Sequence, residues 1–440
     1  MAKGKKKETL TPEERLQAAL VPESEQPYKL PENWCWTRLG DITEIVGGGT
    51  PSSSVTEYYC NGLIPWISPA DLSGYTDIYI SRGAKNITEL GLEKSSAKML
   101  PTNTVCLSSR APIGYVVIAK NPLCTNQGFK SFLPASCYLP QYLYWYLKGN
   151  KELLESYASG TTFLELSASK AGLVEFPLAP LPEQQRIVDR IESLFAKLDE
   201  AKQKAQDALD SFETRKAAIL HKAFTGELTA QWRKEHGETM ESWEKKQLSQ
   251  LAKQIKAGGD KPDDFTTIAD EIHNIPVIAN GVTDEGIVGY TATSRFYGET
   301  ITVAGRGTIG FSMYRTYPFF PIVRLIVIEP QDTVKAAYIK YAFDAFPENG
   351  TGSSIPQLTV PMVKEKIIPL PKLNEQTEIV RILDDLLAKE QQAKEAAEGV
   401  LEQIDIIKKA ILARAFRGEL GTNDPKEESA VELLKQVLSC

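Results

Sequence analysis

Two stretches of this 440-residue chain repeat each other at a spacing of 192 residues. "KAAILHKAFTGEL" begins at Lys216, and "KKAILARAFRGEL" begins at Lys408. The match extends backwards without a gap, so that residues 183–228 align with residues 375–420 over 46 positions with about twenty identities. A repeat of this length indicates two copies of one structural unit, and it constrains the fold more than any other feature of the sequence.

Both copies have the apolar spacing of long helices. In the first copy the interval alternates between four and three residues, at Ile187, Ile191, Leu194, Leu198, Ala201, Ala205, Ala208 and Phe212. The second copy keeps the frame at Ile379, Leu383, Leu386, Glu390, Ala393, Ala397, Val400, Ile404, Ile407 and Ile411. This heptad spacing is typical of a helix that packs along another helix. Each helix follows a proline-bearing lead and ends near Gly226 or Gly418, the usual start and stop signals.

We therefore expect two long antiparallel coiled-coil helices related by a pseudo-twofold axis. At about 1.5 Å per residue, each helix is roughly 65 to 70 Å long, which suits a spacer better than a core helix. The alternative is a pair of unrelated, solvated helices.

The stretches before the two helices also resemble each other. Both contain an Ile-Pro pair ("GLIPWISPAD", "HNIPVIANGV") and an Arg-x-x-Ile-Gly turn ("SSRAPIGYVVIAK", "AGRGTIGFSMYR"). Short β-rich runs alternate with Gly, Pro and Asn turns and with an aromatic amphipathic helix, which predicts an α+β fold for each domain. The predicted order is a helical segment (1–33), a first mixed domain (34–180), a long helix (181–229), a second mixed domain (230–372), a long helix (373–421) and a helical tail (422–440).

Composition excludes several classes of protein. The net charge of −7 argues against nonspecific coating of nucleic acid, although residues 34–176 and 243–372 each balance their charges, eleven against eleven and fourteen against fourteen. The chain has six cysteines, none in a CxxC pair, and three histidines. We therefore expect neither a zinc site nor a disulfide framework. No long apolar run or signal sequence is present, so we expect a cytoplasmic protein without a membrane span.

No catalytic constellation is evident in the sequence. The glycine-rich stretch "VGGGTPSSS" lacks the spacing of phosphate-binding and dinucleotide-binding loops, and we expect a mobile polar loop there. No arrangement of Ser, Cys, His or paired carboxylates indicates a nucleophile or a nuclease. We expect a protein that is not an enzyme and that has no cofactor.

The two "EQ…IV…AI…AF.GEL" helices, each after an α+β domain with an "R..IG" turn, resemble the specificity subunit of a type I restriction-modification enzyme. The resemblance extends from "LTPEERLQAALVP" to "EESAVELL". It implies two target recognition domains that read an asymmetric, two-part site in double-stranded DNA. It also implies partners, namely two adenine-N6 methyltransferase subunits and the restriction subunit, which carry the catalysis. Other hypotheses are a coiled-coil adaptor that does not bind DNA and a methyltransferase-associated fragment with its own catalytic site.

Candidate contact residues lie in the turns and at the helix ends. We expect DNA contacts from Ser109, Arg110, Thr161, Thr162, Arg306, Thr308, Ser353 and Ser354, because guanidinium groups, hydroxyls and loop amides bind phosphates and base edges. The alternatives are that each arginine braces its own turn and that the hydroxyls cap helices. Phe224, Glu227, Phe416 and Glu419 are candidates for partner contacts or for caps of the long helices. Trp34, Trp36, Trp66 and Trp145 are expected in the core.

Overall fold

The structure, a computed structural model, describes residues 11–160, 164–347, 357–421 and 423–439. The chain divides into two compact units, with Met1–Gln203 and Val400–Cys440 in unit 1 and Lys204–Gly399 in unit 2. Unit 1 is therefore assembled from both ends of the chain, whereas unit 2 is one continuous segment.

Short helices accompany the two domains, and the long helices lie at residues 181–224 and 373–416. The helices are α1 (Pro12–Ala19), α2 (Leu39–Ile42), α3 (Glu89–Glu93), α4 (Pro140–Gly149), α5 (Lys151–Tyr157), α6 (Ala168–Gly172), α7 (Leu181–Asp210), α8 (Phe212–Phe224), α9 (Ala230–His236), α10 (Leu248–Leu251), α11 (Ala336–Ala345), α12 (Val360–Glu365), α13 (Leu373–Phe416) and α14 (Ala430–Ser439).

The strands are short and belong to small sheets. In unit 1 they are β1 (Cys35–Arg38), β2 (Ile45–Gly47), β3 (Ile64–Ile67), β4 (Tyr79–Ile80), β5 (Lys85–Ile87), β6 (Val105–Ser109), β7 (Ile113–Ala119), β8 (Cys124–Thr125), β9 (Phe129–Phe132) and β10 (Glu175–Leu178). In unit 2 they are β11 (Glu244–Gln247), β12 (Ala252–Ala257), β13 (Ile275–Ile278), β14 (Ile287–Thr291), β15 (Thr300–Val303), β16 (Ser312–Arg315), β17 (Phe320–Pro321), β18 (Ile326–Pro330) and β19 (Ile367–Leu370).

The sheets of the two units have matching topologies, except that the edge strand β4 of unit 1 has no counterpart among the described strands of unit 2. Unit 1 contains the orders β1-β10, β2-β9-β6-β7-β4 and β5-β3-β8, and unit 2 contains β11-β19, β12-β18-β15-β16 and β14-β13-β17. In both units the Ile-Pro strand pairs in parallel with a two-residue strand, with Ile67 opposite Thr125 in one and Ile278 opposite Pro321 in the other. The predicted α+β fold with two mixed domains is confirmed.

In each unit, segments of the two long helices run antiparallel. In unit 1, Lys408 of α13 pairs with Asp199 of α7 at 2.5 Å, and Phe416, at the end of α13, shares a core with Ile187, near the start of α7. In unit 2, Arg215 of α8 bonds to Glu390 of α13 at 2.8 Å. The antiparallel helices predicted from the repeat are confirmed, and Gly226 and Gly418 follow their ends with φ of 80° and 76°.

Two details of the helices differ from the prediction. The first helix is divided at Ser211, which has φ −86° and ψ −6°; its amide keeps the helical bond to the Asp207 carbonyl at 3.1 Å, and its hydroxyl also donates to the carbonyl oxygens of Asp207 and Ala208 at 2.9 and 3.2 Å. In α13 the predicted positions Val400 and Ile407 are 40% and 41% exposed, and the predicted Ala393 is exposed as well.

The neighbouring positions on α13 face the other helix instead. Lys394 lies over the Phe212 ring and Lys408 over the Phe195 ring, each with 5.0 Å from ammonium to ring centroid. Both lysines thus place a long aliphatic stem along the line of contact between the two helices, which we call the seam, and the charge on an aromatic face. The seam predicted from apolar residues alone is wrong at these positions.

The cores and the short terminal helices follow the prediction. Trp34, Trp36, Trp66 and Trp145 are buried. Helix α1 starts with a capping box, in which the Thr11 hydroxyl accepts a bond from the Glu14 amide and the Glu14 carboxylate accepts one from the Thr11 amide. Within the described ranges, every helix is too short or too polar to cross a membrane.

Candidate functional site

The start of each long helix anchors the domain before it with a glutamine. Gln184 accepts a bond from the Leu139 amide at 2.9 Å, which caps α4, and donates to the Ala179 carbonyl at 2.8 Å. Gln376 repeats this in unit 2, with the Lys335 amide at 2.9 Å and the Pro371 carbonyl at 2.8 Å. These glutamines align in the repeat, but their role in holding the aromatic helices α4 and α11 was not predicted.

An adjacent buried glutamate also recurs, with different partners in the two units. In unit 2, Glu375 pairs with Arg233 at 2.5 Å and accepts bonds from Thr229 and Trp243 at 2.7 and 2.9 Å. In unit 1, Glu183 pairs with Arg186 and accepts a bond from the Asn423 amide at 3.1 Å. The Glu183 carboxylate is therefore bonded in part by a residue near the C-terminal end of the chain. The Glu375 carboxylate is bonded by residues from the segment that follows α8.

The predicted partner-contact residues separate into buried and exposed groups. Phe416 is 2% exposed and packs on Tyr142 and Tyr146, with ring centroids 5.1 Å apart. Phe224 is 5% exposed and packs on Tyr338 at 5.1 Å. Both phenylalanines thus join the long helices to the domain cores, so their side chains are not available to another chain. Glu227 and Glu419 are exposed at the helix ends.

The first arginine turn follows β6 and lies in a small charge cluster. Arg110 and Lys130 are both near the Glu165 carboxylate, at 3.8 and 3.7 Å. The Arg110 side chain is 36% exposed. Burial lowers the pKa of Lys130, while the Glu165 charge acts in the opposite direction. The positive charge of this turn is therefore partly balanced within unit 1.

Ser109, which precedes Arg110, is buried rather than exposed. Its hydroxyl donates to the Gly128 carbonyl at 3.0 Å and accepts a bond from the Lys130 ammonium at 3.2 Å. The predicted DNA contact from the Ser109 hydroxyl does not fit this structure, because the group is occupied inside the domain. Its role is to hold the turn in place.

The second arginine turn follows β15 and is open. Arg306 and Thr308 are exposed, and the Arg306 guanidinium donates to the Gln357 side-chain oxygen at 3.3 Å. No ion pair joins Arg306 to a carboxylate among the residues that the structure describes. The Gly305 amide beside it donates to the Asn280 side chain at 2.8 Å. This turn presents its guanidinium to solvent.

The two arginine turns have the same backbone anchor. The Leu166 amide donates to the Ser109 carbonyl and the Leu358 amide donates to the Gly305 carbonyl, both at 2.9 Å. Each bond joins the residue before the arginine to a leucine later in the same unit. The candidates Thr161, Thr162, Ser353 and Ser354 lie outside the described residues.

Two residues of the glycine-rich stretch, Gly48 and Gly49, are packed against other backbone. A Cβ on Gly48 would lie 2.0 Å from the Asn126 carbonyl oxygen, and one on Gly49 would lie 2.2 Å from the Ala97 nitrogen. The Trp66 indole donates to the Gly49 carbonyl at 2.9 Å. At Gly48 and Gly49 the structure therefore has a close backbone contact that only glycine permits, and the exposed polar part of the expected loop is limited to the threonine and the serines that follow.

The side chains present offer little to a metal ion. The described part of the chain contains no group of three or more His, Cys, Asp or Glu residues placed to hold one. Cys35, Cys106, Cys124 and Cys137 are buried thiols, and Cys60 is exposed. Burial raises the pKa of Cys35, Cys106 and Cys137 to about 12 and that of Cys124 to about 11, so these four thiols stay protonated at neutral pH.

Comparison with known proteins identifies the class of protein to which this chain belongs. The type I restriction modification DNA specificity domain matches residues 31–209 and 240–399. The two matches together cover well over half of the chain. The chain belongs to the family of type I restriction-modification DNA specificity subunits.

Individual relatives carry the same description. The MjaIX specificity subunit of Methanocaldococcus jannaschii is 39% identical over 239 residues, which are 53% of this chain and 55% of the relative. The EcoKI specificity subunit of Escherichia coli K12 is 22% identical over 432 residues, 89% and 90% of the two chains. The chain spans about half the length, or less, of the curated relatives that it matches at 33 to 39% identity.

A solved structure shares the fold. The HsdS subunit from Thermoanaerobacter tengcongensis superimposes with a TM-score of 0.67 at 20% identity, and the match covers 90% of this chain and 100% of that one. At this identity the likeness concerns the fold alone.

Proposed function

We propose that this chain is the non-catalytic DNA-recognition subunit of a type I restriction-modification complex. It binds an asymmetric, two-part site in double-stranded DNA, and each unit reads one half. It also holds two adenine-N6 methyltransferase subunits and the restriction subunit, which perform the chemistry.

One observation carries this proposal: several contacts of the framework are equivalent in the two units, while the exposed turns differ in charge. Gln184 and Gln376 make equivalent bonds, and so do Tyr142 and Tyr338, whose hydroxyls donate to the carbonyls of Pro177 and Pro369. The arginine turns keep their backbone anchor but differ in charge. A common frame with different surfaces suits two domains that read different sequences.

The energetics of DNA reading favour such a pair. A mismatched base pair typically costs about 1 to 3 kcal/mol, so one small domain has limited discrimination. Two tethered domains add the discrimination of two half-sites. Because the two surfaces differ, the combined site is asymmetric.

The proposed contacts are those that the units leave exposed or partly exposed. Arg306 and Thr308 lie at the open turn of unit 2, and Arg110 is half-exposed in unit 1. Thr161, Thr162, Ser353 and Ser354 remain proposed contacts of the adjoining segments. Glu227 and Glu419 remain proposed contacts for the protein partners.

Methylation mapping tests the proposal. Cells that contain this chain and its methyltransferase subunits should carry N6-methyladenine in one two-part sequence throughout the genome, and cells that lack only this chain should lose that pattern. The purified chain alone should transfer no labelled methyl group to DNA. Transfer by the chain alone would contradict the non-catalytic role. An absence of salt-dependent DNA binding, even with the methyltransferase present, would contradict DNA recognition.

A further inference from the structure

A turn in unit 2 has an unusual backbone for its sequence. Val323 and Arg324, between β17 and β18, both have positive φ, 54° and 61°. Such left-handed pairs normally contain Asn and Gly, and a β-branched residue is rare there. Val323 is 53% exposed, so burial of its side chain does not explain the choice. Strain of this kind persists where surrounding contacts impose it, often at functional positions.

Hydrogen bonds from three directions impose this conformation. The Val323 amide donates to the Gly259 carbonyl at 2.9 Å, and the Arg324 amide donates to the Gly258 carbonyl at 3.1 Å. The Asn280 side chain donates to the Val323 carbonyl at 2.6 Å. The turn is therefore rigidly placed, with the exposed Arg324 at its tip.

The same contacts join this turn to the Arg306 turn. The Asn280 side chain that binds Val323 also accepts the Gly305 amide at 2.8 Å. A Cβ on Gly305 would lie 3.2 Å from the Arg324 carbonyl oxygen. The backbones that carry Arg306 and Arg324 are thus in direct contact, and both guanidinium groups start from one small area of the surface.

Two further cations border this area. Arg295 lies over the Phe320 ring at 4.4 Å, and its guanidinium would be 3.3 Å from a Cβ on Gly259. Lys261, two residues after Gly259, lies over the Phe265 ring at 3.8 Å. Each ring holds its cation in place without neutralising it. We call Lys261, Arg295, Arg306 and Arg324 the cationic surface.

The cationic surface keeps its charge. All four side chains are exposed, and none has an ion pair with a carboxylate in the described ranges. Asp260 and Asp263 belong to the same loop as Lys261, but neither forms an ion pair with any of the four among the described residues. Guanidinium groups without an ion pair that start from a fixed backbone suit phosphate oxygens, which they bind through two parallel bonds.

Unit 1 lacks this arrangement at the equivalent place. Its turn between β8 and β9 consists of Asn126, Gln127 and Gly128. The Gly128 carbonyl accepts the Ser109 amide at 2.7 Å, so this neutral turn contacts the Arg110 turn as the Val323–Arg324 turn contacts the Arg306 turn. The cationic surface is a property of unit 2 and not of the shared framework.

We propose that the cationic surface binds the phosphate backbone of duplex DNA and that the strained turn exists to hold Arg324 in this contact. The inference rests on the proposed function, and it adds Lys261, Arg295 and Arg324 as DNA-binding residues. Because phosphates are the same in every sequence, these residues contribute affinity and register rather than base choice.

Replacement of Arg324 by Asn tests this contact. Asn tolerates positive φ, so the R324N chain should fold as the wild type does, with an unchanged circular dichroism spectrum. Binding of the full-length chain to a mixed-sequence duplex should weaken. The slope of log K against log salt should become less negative by about 0.9 for one lost phosphate contact. R324N combined with K261Q should lose about twice that amount.

Two controls separate charge from other effects. K245N removes the positive charge of Lys245, an exposed residue of β11 that does not belong to the cationic surface. This variant should leave the slope of log K against log salt near that of the wild type. V323N keeps Arg324 and relaxes the turn, so it should retain affinity. An unchanged slope in R324N, or an equal change in K245N, would overturn the inference, and so would a loss in V323N equal to that in R324N.

The wild type separates this inference from the proposed function. A wild-type chain that binds no duplex at low salt, even with methyltransferase subunits, would overturn both. A wild type that binds while R324N binds equally well would overturn the inference alone.

Discussion

The two arginine turns occupy equivalent places in the two units, yet their electrostatic surroundings are opposite. Arg110 shares the Glu165 carboxylate with Lys130. Arg306 is exposed beside the strained turn of Arg324, with no ion pair among the described residues. One backbone anchor, from Leu166 or Leu358, therefore supports a balanced surface in unit 1 and a cationic surface in unit 2.

The difference separates two properties that a DNA-reading domain needs. The shared contacts of Gln184 and Gln376 fix the position of each domain on its helix. The surface charge is then free to differ, because it does not carry the fold. We expect unit 2 to bind with the stronger salt dependence and unit 1 to depend more on the fit of its turn.

The largest expected effect concerns the buried glutamates. Glu375→Ala leaves Arg233, whose side chain is 8% exposed, without its carboxylate. Breaking a buried ion pair in this way typically destabilises by about 3 to 5 kcal/mol. Glu183→Ala should cost less, about 1 to 3 kcal/mol, because the Arg186 side chain is 35% exposed and also pairs with Glu427 at 2.8 Å.

Hydrogen exchange of each variant measures this difference, because it reports on unit 1 and unit 2 separately. Glu244→Ala is the matched control, since the Glu244 side chain is 62% exposed in its pair with Lys246, and such a pair contributes little. Equal loss of protection in E375A and E183A would contradict the comparison.

The next effect concerns the arginine turns themselves. Arg306→Ala should weaken binding about equally on every DNA sequence and reduce the salt slope by about 1, because the cationic surface contacts phosphates. Arg110→Ala should change the slope less, because Glu165 already offsets its charge. Titrations at several salt concentrations give both slopes, and a larger change in R110A than in R306A would reverse the assignment.

The smallest effect comes from removal of the balancing charge in unit 1. Glu165→Gln leaves Arg110 and Lys130 without their carboxylate, which makes this turn resemble that of unit 2. Both ion pairs are partly exposed and long, at 3.8 and 3.7 Å, so the gain in binding should be modest, about 0.2 to 1 kcal/mol. E165Q should also make the salt slope steeper, and a weaker slope would show that Glu165 positions Arg110 rather than balances it.

The repeat and its boundaries could be predicted from the sequence because periodicity and end signals are local. The helix ends near Gly226 and Gly418 and the burial of the tryptophans could be predicted without tertiary information. The seam of α13 required the partner helix, since the predicted frame is apolar at Ala393, Val400 and Ile407, whereas the rings of Phe212 and Phe195 face Lys394 and Lys408.

The site was less predictable because its properties depend on distant contacts. Ser109 resembles an exposed hydroxyl in sequence, but Gly128 and Lys130 enclose it. Phe416 is the last residue of α13, and its contact with Tyr142 of α4 shows that it is a core residue. Val323 and Arg324 carry no turn signature at all, since bonds from Gly258, Gly259 and Asn280 impose their conformation.

The central claim is that each unit reads its half-site independently on a shared frame, and one exchange tests it directly. Residues 34–176 would be replaced by the corresponding domain of another type I specificity subunit, with Gln184 of α7 and its partner Ala179 retained. N6-methyladenine would then be mapped across the genome of cells that carry the chimaera and its methyltransferase. We predict that one half of the methylated sequence changes and the other half stays the same. A simultaneous change in both halves would contradict the account.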